Sequence, residues 1–252
     1  MNLADLHWPD VAALPKSTPI IIPIAALEQH GRHMPVFTDS MLCGEVVRRV
    51  AEKLGNRALF TPLMWLGNSE HHLEFAGTMS AAPRVYLDLL RDMVENFLFH
   101  GFTRILLING HGGNIVPAQQ AVFELRQKHR QRNDLLLLSS TYWTLGGKPW
   151  EQDPSLQQRQ MGHACEFETS MVLRIAPHLV GDLSKLQPVE FGRGFEPANR
   201  GWITKDRTEP GHIGDPRFAT AEKGETLFQV FSADVINLIE RMIAWDGKSW
   251  NG

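Results

Sequence analysis

The sequence predicts an α/β fold, a single three-layer domain over residues 1–252 with a largely parallel central sheet flanked by helices. Two observations point there. Short apolar runs alternate with longer stretches whose apolar residues recur at helical spacing, the order expected of strands joined by helical crossovers. The first of these runs, 19–27, is continuously apolar and rich in β-branched residues, as in a strand covered on both faces. No internal repeat or low-complexity linker interrupts the alternation, and 252 residues are enough to bury one sizeable core.

Taken in order, the strand over 19–27 is expected to continue through His30, which would project Glu28 and His30 from one face at its C-terminal end. A helix follows from about Asp39 or Ser40, with Leu42, Val46, Val50 and Leu54 on one side and Gly55 as its stop. A second helix over 85–100 carries Tyr86, Leu90, Met93 and Phe97 and stops at Gly101. Residues 104–108 form a buried strand, the Asn109-Gly110-His111-Gly112-Gly113-Asn114 loop follows, and a helix through Val122 and Leu125 leads to a strand at 135–138. The stretch from Gly162 into 171–175 reads as a helix that ends before Pro177. The last helix runs over 221–245, with Leu227, Val230, Phe231, Val235, Leu238 and Met242 as core residues. Between these, 181–215 is rich in Gly, Pro and charge without periodicity, and so long an irregular stretch reads as a substrate-side or interface loop.

Composition excludes some functions. A formal charge of −3, with Lys and Arg scattered, leaves no basic face for nucleic acid. No apolar run is long enough to span a bilayer and no signal segment is evident, so a cytoplasmic protein without membrane partners is expected. Two cysteines, Cys43 and Cys165, make no disulfide framework and fit a reducing compartment.

The chemistry concentrates in three places. Glu28 and His30 converge at a strand end and Asp39 returns close by, a donor mix that suits Zn²⁺ or Mn²⁺ better than Ca²⁺. His111 sits in a glycine-rich loop directly after a buried strand, and loops at that end of a parallel sheet share one crevice. On the helix expected from Gly162 onward, His163 and Glu166 share a face three residues apart, while Glu168 points away. On that spacing Glu166 is the ligand, His163 the acid/base and Glu168 structural. Cys165 beside His163 does not face it and is not a nucleophile.

These residues resemble the creatininase family of metal-dependent amidohydrolases. The resemblance rests on Ala26-Leu27-Glu28-Gln29-His30-Gly31 with Pro35 and Thr38-Asp39, on His72 with Phe75-Ala76-Gly77-Thr78, and on Asn109-Gly110-His111. It also rests on Tyr142-Trp143, Glu168-Thr169-Ser170, and Gly214-Asp215-Pro216 with Ala219-Thr220, all in preserved order from about 20 to 224. It implies a binuclear site in which Asp39 bridges two ions, Zn²⁺, Mn²⁺ or Fe²⁺, with Glu28 and His111 on one and His30 and a glutamate on the other. In creatininase that glutamate lies two residues after the loop histidine, where this chain has Gly113. The branch with the Gly-His-Gly-Gly-Asn loop carries one three residues after the later histidine, here Glu166. The resemblance further implies attack by a metal-bridging hydroxide, proton donation by His163 to the leaving nitrogen, a substrate side formed by Trp143, His72, Gly77 and Thr78, and a homo-oligomer, a hexamer in particular. The departure at Gly113 argues against creatinine as the substrate. The expected reaction is hydrolysis of a C–N bond in a small cyclic or linear amide. Hydrolysis of a formamide, a peptide or a cyclic polyol ketone, and a metal- or small-molecule-binding protein without catalysis, are the competing readings.

Overall fold

The computed structural model describes residues 1–192 and 195–250. After a short helix α1 (Trp8–Ala13), the chain enters β1 (Ile20–Ile24), α2 (Thr38–Leu54), β2 (Leu59–Phe60), α3 (Pro83–Phe99), β3 (Arg104–Asn109), α4 (Ile115–Lys128) and β4 (Leu136–Thr141). A one-turn helix α5 (Pro149–Gln152), then α6 (Glu166–Ile175) and the long α7 (Ala221–Ala244), complete it. All four strands are parallel, in the order β2-β1-β3-β4, with Ile20 beside both Leu59 and Ile105 and Arg104 beside Leu136.

Alternation along the strands divides the core into two layers. Ile20, Ile22 and Ile24 of β1, with Ile105 and Leu107 of β3, pack on one face against Tyr86, Leu90 and Val94 of α3 and Ala118 and Leu125 of α4. Ile21, Leu106 and Ile108 point to the other face, against α2, α6 and α7. Each fully buried isoleucine is worth about 1.5–3 kcal/mol, so both layers are needed to hold a sheet whose edge strand β2 is so short. This is the α/β sandwich the sequence predicts. Because β1 leads through α2 to β2 on one side and β3 leads through α4 to β4 on the other, the chain reverses direction between β1 and β3. That reversal opens a crevice at the C-terminal ends of these two central strands.

Three expectations need correction in detail. β1 stops at Ile24, not His30, because the chain then folds back on itself: Glu28 N donates to Val36 O and His30 bridges to Arg32 and Met34. α6 begins at Glu166, after a left-handed Ala164 (φ 49°), so His163 is not on it. The strand β2 was not anticipated. Within 181–215, the described residues form 3₁₀ turns at Leu183–Lys185 and Thr204–Asp206 and isolated bridges at Val189, Ile213 and Gly214, but no α-helix or strand, as the lack of periodicity suggested. No helix of the described residues is long and apolar enough to cross a membrane.

Candidate active site

Four chain segments meet at the β1/β3 crevice. The looped chain after β1 brings Glu28 and His30, the first turn of α2 brings Asp39, the loop after β3 brings His111, and the approach to α6 with its first turn brings His163 and Glu168. Asn109, the last residue of β3, accepts from His111 N (3.0 Å) and donates to its carbonyl (2.6 Å), which fixes the histidine as the strand ends. Fully buried Asn114 ties the loops together by donating to Ala25 O and accepting from Asn68 N, both at 2.9 Å.

The acidic and imidazole groups face one another across short distances. His30 Nε2 lies 3.0 Å from Asp39 Oδ1 and 3.8 Å from Glu168 Oε1, and His111 Nδ1 lies 2.9 Å from Asp39 Oδ2. Glu28 Oε2 is 3.3 Å from His111 Nε2 and Oε1 is 3.2 Å from His72 Nε2. Burial alone would raise the Glu28 carboxyl, yet His111 and His72 hold it well below the usual range; Asp39 is lowered too, against burial, chiefly by His30. Burial likewise opposes the charged forms of His30 and His111, but the facing carboxylates hold both well above the ordinary histidine value. His163 is driven well below that value by burial, reinforced by the neighbouring His30 and His72.

Two features fit a cation. Glu28 Oε2 and Asp39 Oδ2 are buried and accept no hydrogen bond, which is costly for a carboxylate oxygen unless something positive is bound there. The imidazoles are also oriented for it. His30 donates from Nδ1 to Glu28 O (3.1 Å) and His111 from Nε2 to Asn68 O (3.0 Å), so that His30 Nε2 and His111 Nδ1, the atoms that face Asp39, would offer their lone pairs where a cation takes the place of the second proton. The trio Glu28, His30 and Asp39 and the trio His30, His163 and Glu168 each bring their donor atoms within 4.8 Å of one another, so either could hold a metal ion.

The left-handed turn at Ala164 decides which glutamate faces the cluster. Glu168 lies in the first turn of α6; its Oε2 accepts from Ala164 N (2.5 Å) and its Oε1 is turned to His30. Glu166 is fully buried elsewhere, where it accepts from Gln157 N, Gln158 N and Lys223 Nζ (2.7 Å). The predicted pairing of Glu166 with His163 is therefore corrected: it assumed helix where the chain still turns. Glu168, read as structural, is the carboxylate brought to the site. Gly113 also has a physical reason to lack a side chain, since a Cβ there would collide with Asn68 O and His111 Nε2.

A cavity of about 650 Å³ opens above this floor. His72, Trp143 and His163 line it. Gly77 and Thr78 do not: Thr78 Oγ1 accepts from Gln29 N (3.1 Å), so the segment braces the Glu28–His30 loop from behind, a correction to their substrate-side reading. Gln29 itself, missed in the sequence, donates from Nε2 to His72 Nδ1 (2.8 Å) and Gly211 O (2.9 Å) and accepts from Gly31 N (2.8 Å). Its backbone carbonyl accepts from His163 Nε2 (2.8 Å), so His163 Nδ1 points inward, 3.7 Å from Glu28 Oε1. His71 and Trp202 complete the wall; no spacing in the sequence singles out either, since Trp202 arrives from the irregular 181–215 segment.

The family model for creatininase, described as creatinine amidohydrolase, matches residues 4–239. The chain belongs to the creatininase family. It is accordingly a creatininase-family amidohydrolase. Similar curated proteins include the mycofactocin precursor peptide peptidase of Mycobacterium ulcerans (strain Agy99), 29% identical over 95% of this chain and 92% of that one. The creatinine amidohydrolase of Pseudomonas putida is 30% identical over 84% of each. Among solved structures, a manganese creatininase superimposes with a TM-score of 0.79 and a zinc–zinc creatininase mutant with 0.78, each 27% identical and covering 95% of this chain and 97% of the other. Creatininase-family membership thus agrees with the parallel sheet and with a cluster able to hold metal.

Proposed function

We propose that this protein is a binuclear-metal hydrolase that cleaves a C–N bond of a small amide, cyclic or linear, with Zn²⁺ or Mn²⁺ as its ions. The observation that carries the reading is the convergence of unpartnered buried carboxylate oxygens with imidazole nitrogens whose opposite ring atoms are already committed. Asp39 turns one oxygen to His30 and the other to His111, which suits it to serve both ions. Glu28 and His111 would complete one set, His30 and Glu168 the other. The zinc–zinc and manganese forms of related creatininases support the choice of ions.

Bound there, two divalent ions supply Lewis acidity toward a carbonyl oxygen and make water nucleophilic near neutral pH. The chain's own residues supply the rest. His163, anchored through Nε2 on Gln29 O, presents the lone pair of Nδ1 at the inner end of the cavity, where it can take up the proton given off by the attacking water and pass it to the leaving nitrogen. Trp143 offers an aromatic wall against which a planar amide can rest. A peptide substrate is the second reading, favoured by a cavity larger than a lone amide group fills and by the peptide peptidase among the relatives. The same reading includes a homo-oligomer.

Elemental analysis of protein purified without chelator, with a panel of cyclic and acyclic amides, tests the assignment. Asp39→Ala should lose both ions. His163→Asn should keep both and lose turnover by about two to four orders of magnitude. Two ions retained in Asp39→Ala, or an ion lost in His163→Asn, would overturn it.

A further inference from the structure

The mouth of the cavity carries charge that the hydrolytic reading leaves unused. Apart from the carboxylates and histidines near the floor, the charged side chains lining it among the described residues are Arg200 and Arg207. Several arginines elsewhere, among them Arg32, Arg48, Arg49, Arg57, Arg174 and Arg217, each hold a carboxylate, and Arg104 is spent on the carbonyls of Met242, Ile243 and Trp245. Arg200 and Arg207 have no such partner among the described residues, and Arg207 is the one whose guanidinium is oriented by a hydrogen bond. Arg207 Nη2 donates to Phe191 O (2.6 Å) and its guanidinium lies 4.9 Å from the centre of the Trp202 ring, and both residues are cavity walls. Arg200 sits 5.6 Å from the centre of the Phe195 ring.

Stacking and one backbone bond orient Arg207 while leaving most of its N–H donors unspent, an arrangement suited to a bidentate oxyanion. The floor does not neutralise this charge, because the carboxylates Glu28, Asp39 and Glu168, together with a hydroxide, would be offset by two divalent ions. A loaded site would therefore keep the positive charge of Arg200 and Arg207 at its mouth and would draw in an anion there. We propose that the substrate carries an anionic group, a carboxylate or a phosphate, remote from the scissile bond, and that Arg207, assisted by Arg200, is the specificity-determining contact for it. This rests on the amidohydrolase reading only for the identity of the bond broken.

The test compares three probes that share one two-carbon spacer on metal-loaded enzyme: N-acetyl-β-alanine, its neutral carboxamide, and N-acetyl-O-phosphoethanolamine. Hydrolysis is followed by release of acetate and binding by calorimetry. Wild type should favour one or both anions over the carboxamide by about tenfold or more in kcat/KM and in affinity, the scale of a charge-assisted contact. Which anion wins distinguishes carboxylate from phosphate. In Arg207→Gln the preference should collapse toward unity, mostly through KM; Arg207→Lys should keep part of it, and Arg200→Gln should lower it less. Equal handling of charged and neutral probes by wild type, or a preference unchanged in the Arg200→Gln/Arg207→Gln double variant, overturns the inference. If no probe is hydrolysed although both ions are bound, the hydrolytic reading is in question for this amide class. The calorimetric preference and its dependence on Arg207 then decide the inference alone.

Discussion

At the scale of single residues, the two glutamates of α6 carry the sharpest lesson. They lie two positions apart, both are buried, and they do unrelated things: Glu168 faces His30, while Glu166 neutralises Lys223 and holds the backbone of Gln157 and Gln158. Glu168→Gln should reduce occupancy of the His30-side ion with little change in unfolding, since an amide oxygen can still accept from Ala164 N. Glu166→Gln should keep both ions yet strand a buried ammonium, costing about 3 kcal/mol of stability. Metal stoichiometry and urea unfolding of the two variants separate these outcomes. Ion loss in Glu166→Gln at unchanged stability would reverse the assignment.

At the scale of elements, most of the architecture was legible because its signals are periodic. α2, α3, α4 and α7 show apolar residues at helical spacing and, for α2, a glycine at the end that accepts φ 56°. Glu28, His30, Asp39 and His111 were legible because donor types cluster beside a strand end. What escaped the sequence was set by single, non-periodic events: the fold-back after Ile24, the left-handed Ala164 that delays α6, and the long-range arrival of Trp202, Arg200 and Arg207. The element packing also makes a pH prediction. Glu225 on α7 binds Arg49 on α2 (2.8 Å) and Arg174 on α6 (2.7 Å), and hydrogen bonds from Arg49 first, then Arg174, hold its carboxyl at about 2 against an ordinary 4.5. A depressed folded value means the stabilisation is fully present above about pH 4.5 and is lost as pH falls toward 2. Because Arg174 is half exposed, the share lost should be on the order of 1 kcal/mol. Denaturation midpoints of wild type and Glu225→Gln should differ near neutrality and converge in acid; a gap that is undiminished at about pH 2 would exclude the ionised carboxylate as its source.

At the scale of the whole molecule, apolar side chains remain on the surface: Phe99 is 88% exposed, Trp8 81%, Phe195 67% and Val85 62%. Side chains of this kind suit a contact with another copy of the chain. Sedimentation at micromolar concentration should give a homo-oligomer, with a hexamer as the expected size, and a monomer alone would refute it. The 181–215 segment has a further consequence. It is tethered near its ends, where Gly181 N donates to His33 O and Val189 pairs with Gly214, and braced mid-way by Thr204 Oγ1 on His72. It contributes cavity wall and mouth but none of the carboxylates at the floor. Lineages can therefore lengthen, shorten or recompose this roof while inheriting the reactive floor intact, so that within one ancestry the appetite for substrate drifts faster than the chemistry.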